Sequence, residues 1–250
     1  MQKKIIDSSK YEIFHRQSQS LTTVPDKKNF TYRLIFDFID RYIFNQKLNI
    51  LDAGCGVGSV SFYLANKNHQ VTGIDVSKTA INAAKNTRQK LKIQNATFIS
   101  GDISQKQLKK KYDLIIISEV LEHIDDDKLL LAHLSQSLKR KASMLITTPS
   151  LNAPLYKLGL LTEFDRRVGH IRRYSKTSLT KLITQSGLKV EAIEQREGLL
   201  RNYLFTIFKW GLPMRAIQKI SLLGNFVTAI DNTLLKLFGG SNYFVLAKKL

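Results

Sequence analysis

Short apolar runs alternate along the chain with longer segments in which apolar residues recur every three or four positions. The apolar runs predict strands over Leu48–Ala53, Gln70–Asp75, Ala96–Ser100, Tyr112–Ser118, Ser143–Thr148, Leu188–Glu194 and Tyr243–Lys248. The periodic segments predict helices over Ser59–Lys67, Lys78–Leu91 and Asp127–Lys139, and one that begins near Ser175. Strands that alternate with helices predict an α/β, Rossmann-like fold: a mostly parallel, seven-stranded sheet with helices on both faces.

We predict a single domain over residues 48–250, which is preceded by one helical segment and contains two insertions. The helical segment, residues 1–47, contains a predicted helix over Phe30–Phe44 and is expected to cover the site. That helix has apolar residues at helical spacing: Leu34, Ile35, Phe38, Ile39 and Tyr42. The two insertions are at 150–174 and 196–241, of which the second is a helical insertion before the last strand. Because long connections in a compact domain usually carry function, we expect both over the carboxyl edge of the sheet, where open α/β folds bind ligands.

Two amphipathic helical patterns lie within Leu199–Phe238 of the second insertion. The faces of the first are Leu200, Tyr203, Leu204, Ile207 and Phe208 against Arg201, Asn202, Thr206 and Lys209. The faces of the second are Phe226, Val227, Ile230, Leu234 and Leu237 against Asp231, Asn232 and Lys236. Such helices lie in a membrane interface or pack on their own domain, and both interpretations stay open. In a membrane interface, flanking cations would attract anionic lipid: Arg196, Arg201, Lys209, Arg215 and Lys219.

The charge balance is strongly basic, with 39 lysines and arginines against 20 acidic residues and a formal net charge of +19. This excess favours an anionic partner, which can be phospholipid headgroups, nucleic acid or an acidic substrate. Cys55 is the only cysteine, which excludes an internal disulfide and a multi-cysteine metal site. No apolar run follows the lysines of Met1–Lys10, so no signal peptide is expected, and no stretch approaches the ~20 apolar residues of a membrane span. We therefore expect a cytoplasmic protein that can lie on the cytoplasmic membrane face.

A glycine-rich turn, Asp52–Ser59, joins the first predicted strand to the helix that follows it. Glycines at Gly54, Gly56 and Gly58 let the backbone turn tightly and approach a ligand where a Cβ would collide. The dinucleotide-binding fingerprint requires G-x-G-x-x-G, whereas Ser59 stands at the third glycine position here. The spacing therefore argues against a nicotinamide dehydrogenase.

Acidic residues end the following strands at the same edge of the predicted sheet. Asp75 closes the second strand about twenty residues after the loop, where such folds place a carboxylate on ribose hydroxyls. Asp102 ends the third strand, and the buried fourth strand leads into a polar cluster that contains Glu119, Glu122 and His123. Capping the next helix is the alternative role for each aspartate taken alone.

These ordered motifs resemble the class I S-adenosylmethionine (SAM)-dependent methyltransferases over Ile50–Glu194. The resemblance implies that the glycine loop faces the methionine part of SAM and that Asp75 binds the ribose hydroxyls. It also implies that Asp102 and Ile103 lie at the adenine and that Glu119 lies near the methionine. The full predicted cofactor-binding set is Asp52, Gly54, Gly56, Gly58, Asp75, Val76, Asp102, Ile103 and Glu119.

Within this family, three stretches resemble the ubiquinone-biosynthesis O-methyltransferases: Glu119–His123, Thr147–Asn152 and Gly169–His170. In some relatives a Glu-x-x-Glu-His cluster binds magnesium, and the corresponding residues here are Glu119, Glu122 and His123. Carboxylates suit that hard cation, but many methyltransferases have Glu-His at this place with no metal known. We therefore predict no metal and keep magnesium at these residues as the alternative.

His123 and His170 are the predicted catalytic residues. His170 lies in the 150–174 insertion with a basic group: Arg166, Arg167, Arg172 and Arg173. Positioning supplies much of the acceleration of methyl transfer, and a general base is needed if the acceptor is a hydroxyl that must lose its proton. A solvated basic loop is the alternative for the arginines, and a packing role is the alternative for His123.

The sequence thus predicts SAM-dependent O-methylation of an apolar or membrane-associated small molecule, a prenylated phenol or quinone precursor or else a lipid-linked saccharide. The basic charge leaves open an RNA or other nucleic-acid methyltransferase. Against it, enzymes that methylate base amino groups typically carry an Asn/Asp-Pro-Pro-aromatic motif where this chain has Ser118-Glu119-Val120-Leu121. A non-catalytic, membrane-associated scaffold with this fold is the third hypothesis, although nothing in the glycine loop is degenerate.

Overall fold

A seven-stranded sheet organises the part of the chain that the computed structural model describes, residues 19–43, 47–105, 108, 110–206, 217 and 220–250. Its strands are β1 (Asn49–Ala53), β2 (Gln70–Asp75), β3 (Ala96–Ser100), β4 (Tyr112–Ser118), β5 (Leu138–Pro149), β6 (Leu188–Arg196) and β7 (Asn242–Lys249). They lie in the order β3-β2-β1-β4-β5-β7-β6. β7 pairs antiparallel with β5 and β6, and the other pairs are parallel. The predicted Rossmann-like, mostly parallel seven-stranded sheet is confirmed.

Side-chain caps fix where several of the helices begin. The helices of the described residues are α1 (Arg33–Tyr42), α2 (Ser59–Asn66), α3 (Lys78–Lys90), α4 (Asp127–Gln136), α5 (Pro154–Lys157), α6 (Thr162–Val168), α7 (Lys176–Gln185), α8 (Leu199–Thr206) and α9 (Ser221–Phe238). Before α3 the Ser77 hydroxyl accepts the N–H of Ala80, and before α4 the Asp126 carboxylate accepts the N–H of Leu129. Each cap satisfies an N–H group that a helix start leaves without a partner.

Helices cover both faces of the sheet. On one face α1, α2 and α3 pack through a core that includes Phe36, Phe62 and Ile81. On the other face α4 and α7 pack through a core that includes Leu131 and Ile183. The neighbouring strands β1 and β4 lead into helices on opposite faces, so a crevice opens between their carboxyl ends. Open α/β sheets bind ligands at such a point.

The helix predicted over Asp127–Lys139 is wrong at its end. α4 ends at Gln136, and Lys139, Arg140 and Lys141 belong to β5, which begins before the predicted Ser143. The first residue of β5 pairs with Tyr112 of β4, and the register shifts before the rest of the two strands pairs. Lys139 forms an ion pair with Asp113 of β4 at 2.8 Å. The three cations therefore extend a strand instead of ending a helix.

α8 turns its polar side into the protein. Arg201 and Asn202 are buried, whereas Tyr203 is 40% exposed. The prediction that Arg201 lies on an exposed basic face is wrong, because its Nη2 donates to the Phe30 carbonyl at 2.8 Å and its guanidinium lies 4.0 Å from the centre of the Phe30 ring. The predicted face residues Ile207, Phe208 and Lys209 lie outside the described residues.

α9 also buries an acidic residue and exposes apolar ones. Asp231 is 2% exposed and accepts the N–H groups of Gly198 and Arg201, which fixes the start of α8. The apolar residues Phe226 and Leu237, in contrast, are 64% and 70% exposed. Of the predicted faces of α9, Asp231 on the polar side and Val227 on the apolar side are buried, whereas Asn232 and Lys236 are exposed. Three of the five residues of the predicted apolar face, Phe226, Ile230 and Leu237, are exposed, so packing of that face on its own domain is not what the structure shows for most of α9.

The predicted cationic flank of this insertion also needs correction. Arg196 donates to Glu194 at 3.0 Å and stacks over the ring of Phe244, so it is not a free surface charge. The other predicted flanking cations, Arg215 and Lys219, lie outside the described residues. Within the described ranges, no helix is both long enough and apolar enough to cross a bilayer.

Candidate functional site

A cavity of about 500 Å³ lies at the carboxyl edge of the sheet, within the range of small-molecule sites. Its wall combines the turn after β1 and the ends of β2 and β4 with residues of α1 and α8. The wall includes most of the predicted site residues: Asp52, Gly54, Gly56, Asp75, Val76, Asp102, Ile103, Glu119, His123 and His170. Gly58 and Glu122 lie outside this wall. The fold therefore brings the strand-end acids, the glycine turn and both predicted catalytic histidines to one cavity.

The turn after β1 is held against its neighbouring strands. The N–H groups of Gly54 and Cys55 donate to the Ile74 carbonyl at 2.8 and 3.1 Å. Gly54 has a φ of 79°, and a Cβ at this position would lie 2.3 Å from the Cγ2 of Val120. Only glycine fits this left-handed, crowded position, so Gly54 keeps the turn close to the end of β4.

Gly58 supports the site from behind. It has a φ of 84°, and a Cβ there would meet the Phe98 ring at 2.8 Å. Its carbonyl accepts the N–H of Phe62 at 2.8 Å in the first turn of α2. The turn and the aromatic packing beneath it therefore require this glycine, and it does not line the cavity.

Asp75 is oriented by two backbone groups. Its Oδ2 accepts the N–H of Gly56 at 2.8 Å, and its Oδ1 accepts the N–H of Ser77 at 2.9 Å. The first bond joins the end of β2 to the glycine turn after β1. The carboxylate is therefore fixed in the wall with further lone pairs available to a ligand.

The other two aspartates beside the glycine turn are also fixed. Asp102 Oδ1 accepts the N–H and the hydroxyl of Ser104 at 2.8 and 2.6 Å. Asp52 Oδ2 accepts the Ser61 hydroxyl at 2.6 Å. Burial raises the pKa of Asp52 to about 6.

Two glutamates follow β4. Glu119 has a left-handed φ of 56°, and its Oε1 accepts the Thr147 hydroxyl at 2.8 Å. Glu122 is fully buried, and its Oε2 accepts the Thr148 hydroxyl at 3.0 Å. Its Oε1 has no hydrogen-bond partner among the described residues. Burial, and then the charge of Glu119, raises the pKa of Glu122 well above its ordinary value.

His170 is held by a charged pair from its own connection. Its Nδ1 lies 2.9 Å from Asp165 Oδ1, and Arg173 donates its Nε to Oδ2 of the same carboxylate at 2.7 Å. Burial alone would raise the pKa of Asp165, but the hydrogen bonds from His170 and Arg173 hold it below its usual value. The ionised Asp165 carboxylate accepts a hydrogen bond from the Nδ1–H group of His170. The other ring nitrogen, Nε2, is therefore the one that can accept a proton.

His123 lies against His170, with ring centres 4.9 Å apart. Its Nδ1 is 3.0 Å from the Gly169 carbonyl, which assigns the proton to that nitrogen. Burial, and then the neighbouring His170, lowers the pKa of His123 to about 4. His123 is therefore neutral at physiological pH.

A metal could be held only by part of the predicted set. Within the described residues, ligand atoms of Glu122, His123 and His170 lie within 4.8 Å of one another, and Glu119 is not in this group. Two imidazoles and one carboxylate suit transition metals, whereas magnesium prefers oxygen ligands. Burial raises the pKa of both glutamates in spite of the nearby charge of Arg173, and that charge also disfavours a further cation. These residues do not fit magnesium.

Sequence analysis misses several residues of the site. Glu197, Arg201 and Asn202 line the cavity, and Asp165 orients His170. Glu197 directly follows β6, and burial raises its pKa to about 7. An acidic residue at a strand end is the same signal that identifies Asp75, so Glu197 could have been found. Nothing in the sequence indicated that the polar face of α8 is the buried one.

The wall is acidic although the protein is basic. Its charged residues are the carboxylates Asp52, Asp75, Asp102, Glu119 and Glu197 and the guanidinium groups Arg173 and Arg201. An excess of carboxylates in a cavity favours a cationic ligand. SAM, which carries a positively charged sulfur, a ribose and an adenine, fits such a wall, with the oriented carboxylate of Asp75 as a partner for hydroxyl groups.

Comparison with known proteins agrees with this geometry. A family model described as a methyltransferase domain matches residues 44–197. A ubiquinone biosynthesis O-methyltransferase of Rickettsia typhi is 33% identical over 198 residues, which cover 75% of this chain and 77% of that protein. A protein of the same name from Rickettsia prowazekii is 32% identical over 166 residues, which cover 62% of this chain and 63% of that protein.

A solved structure shares the fold. The magnesium protoporphyrin IX methyltransferase of Synechocystis, crystallised with bound SAH, superimposes with a TM-score of 0.63 at 17% identity, covering 98% of this chain and 96% of that one. The family match spans more than half of the chain, and the Rickettsia typhi relative spans three quarters of it. The chain belongs to the class I SAM-dependent methyltransferases.

Proposed function

We propose that this SAM-dependent methyltransferase methylates a hydroxyl oxygen of a small acceptor that resides in a membrane. A prenylated phenol or quinone precursor is the leading candidate, and a lipid-linked saccharide is the second. The observation that carries the proposal is the polarity of α8 and α9: the buried polar residues Arg201 and Asn202 of α8 line the cavity, whereas large apolar residues of α9 are exposed. Such an arrangement suits an enzyme that takes a polar reacting group from an apolar phase.

The outer face of α9 is unusually apolar for a surface in water. Leu222, Phe226, Leu237 and Phe238 are 79%, 64%, 70% and 57% exposed. Leu222, Phe226 and Ile230 are four residues apart and so lie on one side of the helix. Clustered exposed apolar groups commonly mark a binding surface. The occupant that we propose is an anionic membrane, because apolar helix faces of basic proteins bind at that interface and the formal charge is +19.

The proposed chemistry uses the His170–Asp165 pair. When bound, SAM would supply the methyl group from its positively charged sulfur, and the bond between the methyl carbon and the sulfur would break so that neutral SAH leaves. His170 Nε2 accepts the acceptor's hydroxyl proton as the oxygen attacks the methyl carbon, and Asp165 keeps the imidazole oriented and stabilises the imidazolium that results. Glu122 Oε1 lies 3.9 Å from Nε2 and adds a second acceptor near the protonated ring. His123, with its pKa lowered to about 4, is proposed to be a positioning neighbour and not the base.

The remaining assignments concern the cofactor and use residues that line the cavity. We assign Asp75 to the ribose hydroxyls, and Asp102 with Ile103 to the adenine. Asp52, Gly54, Gly56, Val76 and Glu119 complete the proposed cofactor contacts. Oxygen as the accepting atom is supported by the Rickettsia relatives, which are named as O-methyltransferases.

Vesicle co-sedimentation tests the membrane part of the proposal. With phosphatidylglycerol-containing vesicles at low salt, we expect the wild-type protein in the pellet and Leu222→Ser/Leu237→Ser in the supernatant. Both substitutions remove exposed apolar groups without changing charge, so the loss would measure the apolar contact alone. Added salt is expected to weaken wild-type binding, because screening acts on the electrostatic attraction.

The matched control is Leu129→Ser/Leu250→Ser, which removes two other leucines that are 59% and 79% exposed. This variant should sediment with vesicles like the wild type, and circular dichroism should show all three proteins folded. Wild-type protein that stays in the supernatant would contradict the membrane proposal. Binding of RNA by that same protein would then identify the anionic partner that the net charge requires.

A further inference from the structure

Arg201 is a buried cation whose hydrogen bonds are incomplete. It is 1% exposed, lines the cavity, and uses Nη2 for the Phe30 carbonyl at 2.8 Å. Its Nε and Nη1 are buried and have no hydrogen-bond partner among the described residues. Burial lowers the pKa of Arg201 to about 10, so the group is still charged at neutral pH. Donors of a buried charged group that lack acceptors are costly, so each one in a native structure calls for an explanation, of which an acceptor supplied by a bound ligand is one.

The neighbouring acids do not accept hydrogen bonds from the Nε and Nη1 groups of Arg201. Both carboxylate oxygens of Asp231 accept backbone N–H groups, those of Gly198 and of Arg201 itself. Glu197 Oε1 accepts the side-chain amide of Asn202 at 3.3 Å. These acids lower the electrostatic cost of the buried guanidinium without bonding to it. The rings of Phe30 and Phe205, at 4.0 and 5.3 Å from the guanidinium carbon, hold it in place.

Asn202 adds an acceptor beside these donors. It is 4% exposed and lines the same cavity. Its Oδ1 has no hydrogen-bond partner among the described residues, while its amide group is used by Glu197. Adjacent residues of α8 therefore offer donors and an acceptor that no described residue pairs with, which together match a ligand group that contains an oxygen anion next to an N–H or O–H.

We propose that Arg201 and Asn202 form an anion-recognition subsite, in which Arg201 binds a carboxylate or phosphate oxygen of a bound small molecule and Asn202 accepts a hydrogen bond from the same molecule. This inference rests on the proposed function, because the molecule is either of the two that a methyltransferase must hold. One is the aminoacyl end of SAM, which has a carboxylate and an ammonium group. The other is an acceptor that carries an acidic group. The subsite itself requires only the anion.

Arg33 provides a matched control for Arg201. It belongs to α1 and is also almost buried, but the protein supplies acceptors for the corresponding donors: Nε donates to the Lys27 carbonyl at 3.1 Å, and Nη1 donates to the Gly224 carbonyl and the Thr228 hydroxyl at 3.2 and 3.0 Å. Arg33 does not line the cavity. Arg33→Gln should therefore lower thermal stability without changing ligand affinity, whereas Arg201→Gln should change ligand affinity.

Two arms identify the source of the anion. In the first, calorimetry compares SAM with decarboxylated SAM. In the second, ligand-observed NMR in the presence of SAH compares phenol with 4-hydroxybenzoate and phenyl phosphate. In one arm we expect the wild type to prefer the ligand that carries the carboxylate or phosphate by about tenfold or more, as for a hydrogen bond to a charged group. Arg201→Gln should abolish that preference, and Arg33→Gln should retain it.

The outcomes separate this subsite from the methyltransferase function. If Arg201→Gln loses the preference in the first arm, Arg201 binds the carboxylate of the cofactor. If it loses the preference in the second arm, Arg201 binds the acidic group of the acceptor. The subsite would be overturned if the wild type showed no preference in either arm, or if Arg201→Gln retained the preference. If the protein still binds SAM, the proposed methyltransferase function is not affected by that result. If Arg201→Gln does not fold, Arg201→Lys serves instead, because it keeps the charge but not the positions of the guanidinium donors, and it should weaken the preference.

Discussion

The two sides of the cavity differ in how the protein treats their polar groups. The loop side consists of the turn after β1 and the ends of β2 and β3, and its aspartates, Asp52, Asp75 and Asp102, all accept hydrogen bonds from the protein. The insertion side consists of the wall residues from the 150–174 and 196–241 connections. There Arg201 and Asn202 keep buried atoms without partners among the described residues, although His170 on the same side is oriented by Asp165. Ser59, whose buried hydroxyl also lacks one, is an exception on the loop side.

This difference suggests how the fold divides its two tasks. Groups that are oriented before a ligand arrives cost little reorganisation when it binds, which suits the cofactor that every turnover uses. Groups without partners carry a desolvation cost until a ligand supplies the missing hydrogen bonds, which suits a selective site. Cofactor binding and acceptor chemistry should therefore respond to different substitutions.

The largest effect is expected for His170→Gln on the insertion side. Loss of the proposed general base should lower kcat by about 1,000-fold, within the usual range for such catalysis, while the affinity for SAM stays near that of the wild type. The measurement is transfer of labelled methyl from SAM to membrane lipid extract, with products resolved by mass spectrometry, together with calorimetry of SAM. Asp165→Asn should lower kcat by less than His170→Gln does, because it misorients the imidazole without removing it. An equal loss of SAM affinity in His170→Gln would break the separation between the two sides.

A smaller effect, on binding alone, is expected for Asp75→Ala on the loop side. The substitution removes the acceptor of the Gly56 N–H and the proposed ribose contact, so the Kd for SAM should rise about 100-fold, which corresponds to one or two hydrogen bonds to a charged group. Asp113→Ala is the matched control, since Asp113 also accepts a backbone N–H, that of Asn49 at 2.9 Å, but does not line the cavity. Calorimetry that gave the two variants equal affinities would remove Asp75 from the cofactor site.

The sequence predicts the loop side well for physical reasons. Buried parallel strands require continuous apolar runs, and the tight turn after β1 requires glycine at Gly54, where a Cβ would meet Val120. Both requirements leave local marks in the sequence. The residues Asp75 and Asp102 could be found because Asp75 ends such a strand and Asp102 lies two residues after one, and each lines the cavity.

The insertion side could not be predicted to the same extent, because its orientation depends on distant contacts. The periodicity of α8 and α9 separates two faces, but the Phe30 carbonyl and the Asp231 carboxylate decide that Arg201 is buried. The partner of His170 was missed because Asp165 lies in the short helix α6, at a distance along the chain from His170 that is not diagnostic. The start of β5 was missed because Lys139 pairs with Asp113 across two strands, where the sequence suggested a helix end.

The smallest effect is expected from magnesium, because neither its removal nor its addition should change the rate of methyl transfer. The same test decides whether His170 on the insertion side is a metal ligand. Of the predicted metal set, Glu122 and His123 are joined by His170 within 4.8 Å, so His170 would have to be a ligand and the proposed base at once. An imidazole whose Nε2 binds a metal cannot accept a proton there, and two imidazoles with one carboxylate are a poor set for magnesium. Methyl transfer should therefore be unchanged after EDTA treatment and after added Mg²⁺. Activity that EDTA abolishes and Mg²⁺ restores would contradict the metal-free site and remove His170 as base. Restoration by Zn²⁺ or Mn²⁺ alone would instead identify Glu122, His123 and His170 as a transition-metal site.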